Sequence, residues 1–170
     1  MNYFELFEIP IQLKVDKKDL PRKYFDLSRK NHPDYYINEN PEKQAHALEI
    51  SSLVNKAFKT FQNDDETLKY VLQLKGLLVE EEKYELPPDF LMEVLEINEQ
   101  LMDMDENPEL NKDLKNTIDN LQNEIYEPVK KIVEHYQDGI TSEKELLQVK
   151  EYYYKKKYLH RIQQQLNGLT

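Results

Sequence analysis

Between Pro41 and about Gln62, apolar side chains stand at Ala47, Ile50, Val54, Ala57 and Phe61, with Phe58 widening the row. Steps of three and four residues gather such positions on one side of an α-helix, so this stretch predicts a helix, long enough to pair with a neighbour. The same period runs through most of the chain, and with Gly 3 and 33% charged residues there is little to break it. The expected fold is all-α. At 170 residues the chain can hold one ordinary domain or two small ones. Two are expected, because Glu80-Glu81-Glu82 and Pro87-Pro88 form an acidic, proline-stiffened connection in its middle.

In the first half, Asn2 is a cap for a short helix carrying Tyr3, Phe4, Leu6 and Phe7 that ends near Pro10. A second helix is expected from Asp16 or Asp19 to Asn31, with Leu20, Tyr24, Leu27 and Phe25 inward; Pro21 leaves its start open. It would pair with the Pro41 helix as an antiparallel hairpin across the Asp34 to Asn40 loop. A further helix begins near Asp64 or Asp65, carries Leu68, Val71, Leu72 and Leu74, and stops at Gly76. The second half predicts three main helices. One runs from Asp89 to about Met104, and the next opens at Asn107-Pro108 with Leu110, Leu114, Ile118, Leu121, Ile125 and Ile132 inward. Pro128 should kink or split that helix near Tyr126, and Gly139 closes it. Ser142 with Glu145 is a capping-box pattern for the last, which carries Leu146, Val149, Tyr153, Leu159, Ile162 and Leu166.

The inventory for catalysis is thin. There is no cysteine, so disulfides, thiolate zinc sites and cysteine nucleophiles are excluded. His32, His46, His135 and His160 are scattered singly, and no glycine-rich phosphate loop or HExxH is present. Neither an enzyme nor a metal or cofactor site is expected. No apolar run approaches the length of a membrane span, and Met1-Asn2-Tyr3-Phe4-Glu5 has no targeting pattern. A net charge of -10 argues against a general nucleic-acid binder; Tyr152-Tyr153-Tyr154 before Lys155-Lys156-Lys157 reads as a solvated helix face rather than a base-stacking site.

Three features point to protein partners. His32-Pro33-Asp34 follows the second helix, and Pro33 pushes His32 out of the α region, so the triplet should form an exposed corner. Such a corner suits contacts with another protein, less readily acid-base chemistry; equally, a short polar triplet can be a simple helix stop. Just before it, Lys17, Lys18, Arg22, Lys23, Arg29 and Lys30 stand against Asp19 and Asp26, a basic island of net +4 in a chain of -10. That island would steer the protein toward an acidic surface. On the helix after the prolines, Phe90, Val94, Ile97, Leu101 and Met104 suffice for packing, while Leu91, Met92, Leu95 and Met102 fall on an adjoining face bordered by Glu96 and Glu99. That face is either a binding surface or a wide core face covered by the final helix. On the last helix Leu147, Tyr154 and Tyr158 share a separate row, so some tyrosines should be only partly buried.

Tyr3-Phe4-Glu5-Leu6-Phe7, a basic helix, His32-Pro33-Asp34 and Asn55-Lys56-Ala57-Phe58, taken in that order, resemble a J domain. Asp89-Phe90-Leu91-Met92-Glu93 through Glu99 and Leu101 resembles the C-terminal bundle of the HscB family, the J-type co-chaperones of iron-sulfur cluster assembly. The resemblance covers nearly the whole chain. It implies an all-α fold with a J domain, a helical hairpin with short flanking helices, over residues 1–77, a linker at 78–88 and a C-terminal three-helix bundle over 89–170. It also implies two partners. The J domain would dock on an HscA/DnaK-type chaperone and stimulate its ATPase through His32, Pro33 and Asp34, with Arg22, Lys23, Arg29 and Lys30 as contacts. The bundle would bind an IscU-type iron-sulfur scaffold through Leu91, Met92, Leu95, Glu96, Glu99 and Tyr154, the last a departure from the phenylalanine common there. Some eukaryotic members carry an N-terminal cysteine zinc module, and its absence suggests a bacterial cytoplasmic protein. A general J-domain co-chaperone for another client, or a helical adaptor without chaperone activity, are the alternatives.

Overall fold

In the computed structural model, which describes residues 1–104 and 109–168, Asn2 closes a capping box on α1 (Tyr3–Leu6). Its Oδ1 accepts from the Glu5 N–H at 2.8 Å, and the Glu5 carboxylate accepts from the Asn2 N–H at 3.1 Å. The chain divides into two units, Met1–Leu74 with Tyr136–Ile140, and Lys75–His135 with Thr141–Thr170.

The first unit is built on α3 (Pro41–Gln62), against which α1, α2 (Leu20–Lys30) and α4 (Asp64–Leu74) all pack. Asn40 caps α3 by accepting from the Lys43 N–H at 2.9 Å, and Pro41 occupies the first turn, where its missing N–H leaves nothing unpaired. The predicted row Ala47, Ile50, Val54, Ala57 and Phe61 is buried throughout. Phe61 is fully buried, with the rings of Phe4 and Phe7 at 4.9 and 5.4 Å. Tyr3 stacks on Tyr70 at 4.3 Å, and its N–H donates to the Tyr70 hydroxyl at 2.9 Å, which ties α1 to α4. Burial of each such aromatic is worth about 2–3 kcal/mol, so four short helices hold together without a sheet or disulfide. Near the start of α2, Tyr24 meets the far end of α3, bonding Asn55 at 2.8 Å and stacking on Phe58 at 4.1 Å; the two helices therefore run antiparallel.

The start of the second helix, left open between Asp16 and Asp19, is decided for Asp19, which stands at the N-cap of a helix beginning at Leu20 with Pro21 comfortable in its first turn. Two expectations change here. Phe25 is 61% exposed instead of inward. In this unit α2 packs on α3, and one partner covers only the narrow row of Leu20, Tyr24 and Leu27; Phe25 lies about 100° away from Tyr24. Leu74 is likewise exposed, since Leu68, Val71 and Leu72 face α3 from the other side of α4.

In the second unit α5 (Pro88–Asp103), α6 (Leu110–Tyr126) and α8 (Glu143–Gly168) pack against one another pairwise as a three-helix bundle. Phe90, Val94 and Ile97 from α5 with Met104 at its C-cap, Leu114, Ile118, Leu121 and Ile125 from α6, and Leu146, Val149, Tyr153, Leu159, Ile162 and Leu166 from α8 form its core. Pro128 has the expected effect. It sits in a 3-10 turn, Glu127–Val129, that separates α6 from α7 (Lys130–Glu134). The break rotates the register, so Val129 and Val133 are buried and Ile132 only half so. Gly139 takes φ +80, a left-handed conformation that glycine adopts without strain. Ser142 and Glu145 bond each other's N–H groups at 3.1 and 3.0 Å, completing the cap of α8. Tyr152, absent from the expected inward row, is also buried. The expected cap at Asn107-Pro108 lies outside the described residues.

Candidate functional site

His32 has φ -65 and ψ 131, the extended backbone that the following proline demands, and the chain turns at once into a 3-10 helix, Pro33–Tyr36. Its Nδ1 accepts from the Asp34 N–H at 3.2 Å. The Asp34 carboxylate lies 3.5 Å from the same nitrogen, which cannot both accept from the backbone and carry a proton toward the carboxylate. The two side chains are 52% and 79% exposed, so an imidazole and a carboxylate are displayed together on a turn set by Pro33. The imidazole itself caps the turn.

Along α2, Arg22 and Arg29 are exposed on the side that also carries Phe25, in steps of three and four residues. Phe25, Arg29, His32, Asp34 and Tyr35 line an open depression of about 600 Å³. Lys30 is exposed, and its carbonyl accepts from the Tyr36 hydroxyl at 3.3 Å. Lys23 points elsewhere. Its Nζ donates to the Phe7 carbonyl at 3.2 Å, holding the end of α1 against α2. The depression therefore joins cation, imidazole, carboxylate and two exposed rings, Phe25 at 61% and Tyr35 at 67%. Sequence reasoning missed both aromatics. For Phe25 the signal was present in its spacing from Arg22 and Arg29; for Tyr35, only the turn geometry brings it 6.4 Å from His32, edge-on.

On α5, Leu91, Met92 and Leu95 are 44%, 66% and 58% exposed, and Met102 is 78% exposed. The final helix does not cover them. Of the two readings of this face, the wide core face is the one the structure rejects, since Phe90, Val94 and Ile97 turn into the bundle and this face does not. Glu96 and Glu99 border the row and are exposed. Four large apolar side chains on one outer helix face, rimmed by carboxylates, form a surface suited to a protein partner. Tyr154 and Tyr158 on α8 are half-buried, as their separate row suggested, and Leu147 is exposed. Tyr154 stacks on Tyr84 at 4.6 Å with the planes 5° apart. Burial, then the nearby Glu82 and Glu80 carboxylates, push its phenol above the usual 10.0, which keeps it neutral. Tyr158, four residues further on, meets Phe90 of α5 edge-on at 6.5 Å.

Among the described residues no group of three or more His, Cys, Asp or Glu could hold a metal ion, and no helix is long and apolar enough to cross a membrane.

Comparison with known proteins adds the following. The family described as HSCB C-terminal oligomerisation domain matches residues 86–167. Co-chaperone protein HscB of Buchnera aphidicola subsp. Acyrthosiphon pisum (strain Tuc7) is 38% identical over 133 residues, 78% of this chain and 76% of its own. The iron-sulfur cluster co-chaperone protein HscB homolog of Arabidopsis thaliana is 26% identical over 144 residues, 85% of this chain and 54% of its own. Chaperone HscB from Vibrio cholerae has the same fold, with a TM-score of 0.82 over 99% of this chain and 97% of its own at 23% identity.

Proposed function

The chain belongs to the HscB family of co-chaperones, and from that premise we propose that it stimulates the ATPase of an HscA/DnaK-type chaperone and delivers an IscU-type scaffold to it, aiding iron-sulfur cluster transfer. The observation that carries this reading is the presence of two exposed surfaces of unlike chemistry, one in each unit. In the first, His32, Pro33 and Asp34 close a basic helix face. Arg22, Arg29 and Lys30 supply the electrostatic contacts, and Lys23 contributes by fixing α1 against α2. In the second, Leu91, Met92 and Leu95 supply apolar anchors within the Glu96 and Glu99 rim, and Tyr154 adds an aromatic edge. Opposite surface chemistries let one molecule hold two partners without competition between them. The 38% identity to a bacterial relative, against 26% to the plant one, supports the bacterial cytoplasm as the compartment.

The test is a steady-state ATPase assay of an HscA/DnaK-type chaperone with and without this protein, in the presence and absence of an IscU-type scaffold. Stimulation by the protein alone, raised further when scaffold is added, is the expected result. Stimulation that is indifferent to scaffold would make this a J-type co-chaperone for another client. No stimulation at all would remove the chaperone role.

A further inference from the structure

Tyr84 lies in the non-helical segment that leads into α5, yet it is fastened to α8. Its ring stacks on Tyr154, Lys150 Nζ stands 5.6 Å from the centre of the same ring, and the neighbouring Glu82 carboxylate is 2.7 Å from that ammonium. The Lys150–Glu82 side chains are 14% and 22% exposed, so this is a partly buried pair rather than a loose surface one. The segment is thus a strap pinned across α8, and it creates a depression of about 200 Å³ lined by Lys83, Tyr84, Leu86, Lys157, Tyr158 and Arg161.

The charge there is unlike that of the rest of the chain. Glu82, which also borders the depression, is already neutralised by Lys150. Lys157 stands 5.9 Å over the Tyr154 ring, while Lys83 and Arg161 are exposed and make no ion pair or hydrogen bond with any described residue. Three cations that make no ion pair with a described residue therefore border the stacked Tyr84 and Tyr154 in a protein of net charge -10, where Glu82 is committed to Lys150 and the Glu80 carboxylate also lies near Tyr154. An acidic group of a partner would give them a direct counter-ion. The depression lies beside α5: Tyr158 lines it, and its ring meets that of Phe90, the residue before Leu91, edge-on at 6.5 Å.

We propose that this strap and the adjoining turns of α8 form a second lobe of the scaffold-docking surface, which receives an acidic side chain of the scaffold flanked by an apolar or aromatic one. The proposal rests on the reading of the α5 row as the scaffold site and states its chemistry further. Across the apolar row one rim is then negative, Glu96 and Glu99, and the other positive, Lys83, Lys157 and Arg161. Rims of opposite sign admit the partner in one orientation and penalise the reverse, where like charges would meet. The stacked Tyr84 and Tyr154 supply rigid contact area that needs little ordering on binding.

Calorimetric titration of an IscU-type scaffold into the full chain, at low and at moderate salt, tests this. The variants are Lys157→Glu with Arg161→Glu, Lys83→Ala with Arg161→Ala, and Leu91→Ala with Met92→Ala and Leu95→Ala. The charge reversal should weaken binding about tenfold at low salt and flatten its salt dependence, with scaffold-independent chaperone stimulation unchanged. Lys83→Ala with Arg161→Ala removes two cations that support nothing in the fold, so a smaller loss of the same salt-dependent kind is expected even if the reversal disturbs the Tyr154 stack. If both charge variants bind like the parent at low salt while the α5 triple variant is weakened, the second lobe is wrong and the α5 reading survives. If the charge variants weaken binding and the triple does not, the α5 reading fails and the depression stands as the docking site. Parent-like binding by all three overturns both.

Discussion

His32 accepts one hydrogen bond from its own turn and is otherwise half exposed, so its loss should remove a contact to a partner while costing the fold little. His32→Gln is expected to abolish chaperone ATPase stimulation with the circular dichroism spectrum and unfolding midpoint unchanged; a variant that stimulates like the parent would reduce the triplet to a helix stop. Phe25 tests the neighbouring surface. At 61% exposure Phe25→Ala should move stability by no more than about 0.5 kcal/mol yet lower chaperone stimulation, whereas a stability loss of several kcal/mol would return Phe25 to the core. The corner was legible in the sequence because proline acts on its immediate neighbour through sterics. Phe25 was not, since an aromatic next to an inward tyrosine looks the same whether one helix or two will cover it. Lys23 and Arg22 illustrate the same limit. Both belong to the basic island, but only the packed structure assigns Lys23 to the Phe7 carbonyl and leaves Arg22 to solvent.

Helix α5 carries two apolar rows of similar hydrophobicity with different surroundings, which makes them separable by substitution. Replacing Leu91, Met92 and Leu95 by alanine should weaken scaffold binding by more than about 2 kcal/mol if these are anchors, and should leave thermal unfolding near that of the parent, because no cavity opens. Val94→Ala should do the reverse. Val94 is 2% exposed, so its truncation should cost about 2 kcal/mol of stability while the folded variant binds normally. A triple variant that unfolds early but binds normally would make the row part of the core. In the first unit, the tie between α1 and α4 has a pH signature. Burial raises the Tyr70 phenol above 10.0, only partly offset by the hydrogen bond from the Tyr3 N–H. The folded protein thus holds this proton more tightly than the unfolded chain; the contribution is complete below pH 10.0 and lost as pH rises past it. Thermal melts of Tyr70→Phe should show a shallower alkaline decline than the parent. The decline should persist in part, since burial raises Tyr84 and Tyr154 as well. Identical alkaline profiles for variant and parent would mean that Tyr70 ionises without opening the unit.

The proposed service to two partners through separate units predicts that disabling one surface converts the protein into an inhibitor. His32→Gln keeps the α5 surface, so added in excess to a reaction containing the parent protein, chaperone and scaffold, it should sequester scaffold and lower the scaffold-dependent part of the ATPase rate. Combining His32→Gln with the α5 triple replacement should remove that inhibition; inhibition by the combined variant would mean that the two surfaces do not divide the work. The distribution of prolines, the three-and-four spacing of apolar residues and the caps at Asn2 and Ser142 were enough to establish an all-helical chain, most of its helix boundaries and the His32-Pro33-Asp34 corner. Each of these rests on sterics and hydrogen bonds within a turn or two of chain, which the local sequence specifies. Which flank of a helix meets a neighbour depends on parts of the chain far away in sequence. The exposure of Phe25 and of Leu91, Met92 and Leu95, and the stacking of Tyr84 on Tyr154, were settled only when α3 took one side of α2, and α6 and α8 took one side of α5. Burial is a property of the partner as much as of the residue, and periodicity describes the residue alone.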